Sequence, residues 1–160
     1  MIKIKLITLG KLKEKYLREA VEEYSKRLSS YAKTDIVELE PVRLAESPSA
    51  AEIQKALSTE AEMIKKKIPE NSFTVSMCIE GNQISSEKLS QVLFSQINSG
   101  VGNLVFIIGS SFGLSDEIKA ISNLKLSFSK MTFPHQLFRV MLLEQIYRSF
   151  KISEGSKYHK

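Results

Sequence analysis

The residues best suited to chemistry gather at the end of the chain. The stretch "SFSKMTFPHQLFRVMLLEQIYRSF", residues 127–150, opens as a polar loop with Lys130 and Thr132 between aromatics. It then passes through Pro134 and His135 into an apolar run interrupted by Arg139, Glu144 and Arg148. Proline, with its fixed φ and missing amide, suits the first position of a helix, so His135 falls in the first turn. The positive helix end disfavours an imidazolium there and favours the neutral ring, which can accept a proton or a hydrogen bond. A polar residue that merely satisfies the end amides is the alternative. Glu144 and Arg148 stand at i, i+4, the spacing of a helical ion pair. The tail "ISEGSKYHK" adds Tyr158, His159 and Lys160, side chains of the kinds that stack on a base and hold a phosphate. Both histidines of the protein lie in its last 26 residues.

On a wheel at 100° per residue, Val140, Leu142, Leu143, Ile146, Tyr147 and Phe150 form a broad apolar arc with Arg139 near its middle. Leu137 and Met141 form a second apolar stripe opposite, where Arg148 also points, with Glu144 one turn before it. A helix apolar on two sides needs two covers, and packing against one sheet supplies only one. The second cover is expected to be another copy of the chain. Arg139, Glu144 and Arg148 would then be interface or active-site charges; a surface ion pair and a snorkelling arginine are the alternative.

The other motif with chemical potential is "GSSFG", with Gly109 and Gly113. It lacks both the G-x-G-x-x-G spacing and the terminal G-K-[ST] of the phosphate-binding fingerprints, so it gives no support to NAD, FAD or ATP binding. Its glycines either permit a tight strand-to-helix turn or let backbone amides approach a flat ligand closely.

These residues need a scaffold, and the patterning supplies one. "IKIKLITLG", "TDIVELEP", "SFTVSMCIEG", "NLVFIIGSSFG" and "LKLSFS" read as strands. Between them lie helices over "KEKYLREAVEEYSKRLSSY", from Ser49 to about Lys67, over "SSEKLSQVLFSQINSG", from about Ser115 to Ile121, and from Pro134 onward. Ser49 and Glu52 fit a capping box, and Gly100 stands just past a helix end. The alternation predicts an α/β fold, one domain over residues 1–160 with a mostly parallel sheet flanked by helices. In such sheets ligands bind beyond the carboxyl ends of the strands, where Gly10, Gly81, Gly109 and Gly113 fall.

Composition narrows the class. The lone cysteine, Cys78, lies in an apolar run and is expected to be an inert core thiol in a reducing compartment. No segment reaches the roughly twenty apolar residues of a membrane span, and none has the form of a signal peptide, so a soluble, cytoplasmic protein is expected. The net charge of +5 is unevenly spread: residues 1–33 carry nine Lys/Arg against four Asp/Glu, residues 34–129 eight against twelve, and residues 130–160 six against two. If the fold joins the two basic ends, they form one positive face suited to a phosphate backbone.

"GKLKEKY", "FIIGSSFG", "LSFSKMTFPHQLFRVMLLEQIYRSFKI" and the terminal "YHK" together resemble the RlmH family of SPOUT-class methyltransferases, in matching order over essentially the whole chain. The resemblance implies methylation of the N(3) position of a pseudouridine in large-subunit ribosomal RNA with S-adenosylmethionine as donor; a sulfonium donor needs no metal, and a basic surface this small is expected to need the assembled ribosome to position it. The resemblance also implies a C-terminal trefoil knot and a homodimer. The family's cofactor site maps onto Met77, Gly109, Phe128, Ser129, Lys130, Met131, Thr132 and Phe133. Two positions depart from its pattern: Ser110 follows Gly109 where a second glycine is usual, and Cys78 stands where an acid is usual. His135 and Arg148 are expected to orient the base or stabilise its anion and Glu144 to fix Arg148, with Tyr158 and His159 arriving from the partner subunit. A non-catalytic RNA- or ribosome-binding dimer on the same scaffold is the alternative, which a titration with S-adenosylmethionine separates.

Overall fold

The computed structural model describes residues 1–160. Its strands are β1 (Ile2–Leu9), β2 (Ala32–Leu39), β3 (Ser72–Asn82), β4 (Asn103–Ile108) and β5 (Leu124–Leu126). They form one sheet in the order β2-β1-β4-β3-β5 with every pairing parallel. The helices are α1 (Lys15–Leu28), α2 (Ala50–Lys65), α3 (Ser86–Asn98), α4 (Asp116–Ile121) and α5 (His135–Ser153). Side chains alternate across a strand, and the two central strands sort their apolar residues accordingly. Ile4, Leu6, Leu104, Phe106 and Ile108 join the core under α1, α3 and α5. Ile7, Leu9, Val105 and Ile107 join the core under α2 and α4. Burial on both faces explains why β4 is an unbroken apolar run.

Local signals set the helix starts. Ser49 and Glu52 form the expected capping box, and Ser85 and Ser115 accept from Lys88 and Ile118 amides to open α3 and α4. Each such cap stabilises its helix by about 1 kcal/mol. Pro134 stands as the cap of α5, which makes His135 its first helical residue. No helix is long and apolar enough to cross a membrane.

Two expectations are corrected. "LKLSFS" forms a strand only over its first three residues, because Ser127 and the residues after it leave the ladder to build a loop. Arg139, expected among the charges on the outer faces of the last helix, is instead held inside its own chain. It is 4 % exposed, and its guanidinium donates to Glu38 Oε2 at 2.7 Å and to the Gly10 carbonyl at 3.2 Å. Glu38 also accepts from the Leu12 amide at 3.0 Å. Burial raises the Glu38 pKa, but the bonds from Arg139 and Leu12 outweigh it and hold the carboxyl below its ordinary range.

Candidate active site

The largest chemical opportunity lies where the sheet chemistry places it, beyond the carboxyl ends of β3, β4 and β5. The register explains the opening. Met77 and Asn82 both align with Leu126, so the intervening residues of β3 swing out of the ladder. Gly81 lies against β5 so closely that an added Cβ would sit 2.8 Å from the Lys125 carbonyl carbon. The displaced residues Cys78, Ile79 and Glu80 form one wall of a cavity of about 370 Å³.

A second wall is the turn after β4. The Gly113 amide donates to the Ser110 carbonyl at 2.8 Å, and Gly113 adopts φ 83°, a left-handed conformation suited to glycine. A Cβ on Gly109 would lie 2.3 Å from the Gly113 carbonyl oxygen. Of the two readings of these glycines, the tight turn is thus directly visible, and the same turn brings its backbone to the cavity. Ser110 turns its hydroxyl away from the backbone path and donates to Glu60 Oε1 at 3.0 Å.

The third wall is the loop between β5 and α5. Ser127 Oγ donates to the Ser129 carbonyl, Ser129 Oγ accepts from the Met131 amide, both at 3.0 Å, and Phe128 packs on Phe138 with ring centroids 5.0 Å apart. Met77, Gly109, Phe128, Ser129, Met131, Thr132 and Phe133 all line the cavity. Lys130 does not: it is exposed and outside the lining. The sequence reading missed Phe138, Phe112 and the bulged Cys78–Glu80 wall. A Phe one turn into the last helix was the available signal for the first of these. Cys78 is half-exposed in this wall rather than in the core, and desolvation, with Glu80 beside it, raises its thiol pKa and keeps it protonated. Glu80 pairs with Lys119, a hydrogen bond that lowers its own pKa.

His135 borders the cavity at the start of α5. The residue is exposed, yet partial burial of its ring lowers its pKa below the ordinary histidine value. The direction is the one expected of a helix N-terminus, and burial is its cause. His135 is therefore neutral at neutral pH, and a proton NMR titration should find it titrating below a free histidine. Because the folded-state pKa is depressed, its contribution to stability is full above the unfolded value and falls as the pH drops through the histidine range.

The other charged residues stand elsewhere. Arg148 is 13 residues along α5 from His135, about 20 Å at helical rise, and Glu144, Arg148, Tyr158 and His159 form one cluster outside the cavity lining. Arg148 donates to Glu144 Oε1 through Nε at 3.0 Å and Nη2 at 2.7 Å, and through Nη1 to His159 Nδ1 at 3.1 Å. With Nδ1 accepting, His159 Nε2 carries the proton that faces Glu87, whose pKa this hydrogen bond lowers. Tyr158 donates to Glu144 Oε1 at 3.1 Å, and its ring lies 4.9 Å from the Arg148 guanidinium carbon. Desolvation and the bond to Glu144 raise the Tyr158 pKa, so the phenol remains a donor. The tail thus folds onto its own helix, where the sequence reading had it reaching only to a partner.

Between cavity and cluster runs a groove of about 440 Å³ along α5, lined by Tyr24, Val140, Met141 and Glu144 and sharing Phe128 and Phe133 with the cavity. Leu137 beside it is 42 % exposed. The two basic chain ends do meet, since α1 packs on α5, with Arg27 5.3 Å from the Tyr24 ring centre and 5.9 Å from that of Tyr147. No group of three or more His, Cys, Asp or Glu side chains is placed to share a metal ion.

Comparison with known proteins adds three findings. A family model described as "Predicted SPOUT methyltransferase" matches residues 2–159. The chain is 52% identical to a protein of Clostridium acetobutylicum named ribosomal RNA large subunit methyltransferase H, over 98% of this chain and 99% of that one. It is 48% identical to a Streptococcus gordonii protein of the same name, over 99% and 100%. Among solved structures, a probable methylase family protein from Haemophilus influenzae Rd KW20 superposes with TM-score 0.51 at 14% identity, covering 99% of this chain and 70% of that one, a likeness of fold.

Proposed function

The chain belongs to the SPOUT methyltransferase family, and from that premise we propose that it transfers a methyl group from S-adenosylmethionine to the N(3) position of a pseudouridine in large-subunit ribosomal RNA. The observation that carries the reading is the cavity at the strand ends, which gathers seven of the eight residues expected to hold the cofactor. Its chemistry suits the donor: apolar Met77, Phe128 and Phe133 to enclose a flat base, backbone of the Gly109–Gly113 turn to hydrogen-bond it, and a neutral His135 that adds no charge beside a sulfonium. When bound, the donor supplies an activated methyl group on a good leaving group.

The chain's own residues position the acceptor, whose N(3) proton passes to solvent water as the methyl group replaces it. Arg148 orients the base and stabilises negative charge on it, Glu144 fixes Arg148 by its two hydrogen bonds, and Tyr158 and His159 complete the cluster. Since that cluster lies about 20 Å along α5 from His135, one chain does not bring both to one base. A homodimer whose α5 helices run in opposite directions does, with Arg148 of the partner subunit, the partner's Tyr158 and the partner's His159 over this chain's cavity. The exposed Leu137 and the groove beside Met141 support such a second cover. The same family reading carries a trefoil knot at this end of the sheet. A cytoplasmic setting follows from the substrate.

The test is methyl transfer measured on free ribosomal RNA, isolated large subunits and whole ribosomes, with calorimetric titration of S-adenosylmethionine alongside. Transfer to the assembled ribosome with heat of cofactor binding is expected; RNA binding without cofactor heat would mark a non-catalytic module. Gly109→Ala should lower transfer about a hundredfold, because its Cβ forces the turn away from the donor; unchanged turnover would remove the turn from the site.

A further inference from the structure

The apolar stripe of α2 contains a carboxylate. Glu60 stands at helical spacing with Leu57 and Ile64, all three buried, and is itself 3 % exposed. A carboxyl group this deeply buried needs hydrogen-bond partners. Both of its partners are neutral and come from distant segments: the Val42 amide donates to Oε2 and the Ser110 hydroxyl to Oε1, each at 3.0 Å. The bonds closing the Ser110–Gly113 turn are internal to it, whereas the bond to Glu60 ties the turn to the body of the fold. Gly109 leaves no slack on the other side, with its Cβ position already filled by the Gly113 carbonyl.

We infer that Glu60 is a positioning residue for cofactor binding, acting through Ser110 to fix the turn that forms one wall of the cavity. The inference rests on the reading of that cavity as the S-adenosylmethionine site. Ser110, which also lines the cavity, is then a coupled partner of Glu60, its hydroxyl engaged in a bond that a glycine at this position could not make.

Calorimetric titration of the full chain with S-adenosylmethionine, alongside thermal melts and steady-state kinetics, tests it. Glu60→Ala and Ser110→Ala should each weaken cofactor binding about tenfold, the upper scale of one ordinary hydrogen bond. The double variant should bind no worse than the weaker-binding single one, since both singles already remove the Glu60–Ser110 bond. Glu60→Gln should bind within about twofold of the parent, because its oxygen can accept from Val42 while its amide donates to the Ser110 hydroxyl. In every weakened variant KM for the cofactor should rise while kcat at saturation holds. Ser110→Ala binding like the parent, losses that multiply in the double variant, or a fall in kcat at constant KM would each overturn the assignment. If Glu60→Ala does not fold, Ser110→Ala and Glu60→Gln decide it alone. A parent chain that binds no S-adenosylmethionine would overturn the cavity reading itself; a parent that binds, with Ser110→Ala equal to it, overturns only the role of Glu60.

Discussion

Replacing Arg148 by alanine is expected to lower methyl transfer by about 10²–10³-fold, the scale of losing one oriented donor at a developing charge, while S-adenosylmethionine binds as before. The two effects separate because Arg148 is not among the residues that line the cofactor cavity and acts on the acceptor base instead. Three partners depend on this one side chain: Glu144 takes two of its bonds, His159 takes a third, and the Tyr158 ring stacks on it. Lysine at this position keeps the charge but cannot reproduce the planar fork that serves Glu144 and His159 together. Arg148→Lys should therefore recover only part of the rate. Single-turnover transfer on ribosomes with parallel calorimetry measures both quantities, and normal turnover in Arg148→Ala would take the residue out of the mechanism.

Arg139→Ala should act on stability instead, by about 3 kcal/mol, the lower end for breaking a buried ion pair because Glu38 keeps about a third of its side chain exposed. In a domain of this size that is a fall in Tm of about 10 °C. Denaturant unfolding at several pH values adds a second signature. The Glu38 pKa is depressed in the folded chain, so the pair's contribution is present above the ordinary carboxylate range and lost as the pH falls through and below it. In Arg139→Ala that acid slope should flatten. A double Glu38→Gln, Arg139→Met chain should recover much of the loss, since a neutral replacement of the whole pair avoids stranding one charge. If the single variant melts with the parent, the pair is not what fastens α5 to the ends of β1 and β2.

Much of this was legible in the sequence, and the gaps have physical causes. Alternation and helical spacing are local, so the strands, the helices, the capping box at Ser49 and the position of the cavity at the strand ends could be read directly. The wheel correctly placed Arg139 among apolar neighbours, but its partner Glu38 is 101 residues away, and no local pattern names such a partner. The same limit hid the tail, whose contacts to Glu87 and Arg148 depend on how α3 and α5 pack. Cys78 looked like a core residue because its neighbours are apolar. Only the slip in β3–β5 pairing, fixed by the close approach at Gly81, moves it into the cavity wall. Glu60 did leave a signal, an acid where the helical stripe calls for an apolar side chain, and the composition of α2 as an acidic helix masked it.

The last helix has a further meaning for a chain made from one end to the other. Residues 135–153 supply Leu142, Leu143, Ile146 and Phe150 to the larger core, and Arg139 closes the ends of β1 and β2. These residues are made after every strand they cover, and their contacts reach back to the ends of β1 and β2. A nascent chain can pair its early strands, but the core beneath α1 and α3 stays open until α5 has emerged. A chain cut short within α5 would carry an unfinished core instead of a smaller working enzyme.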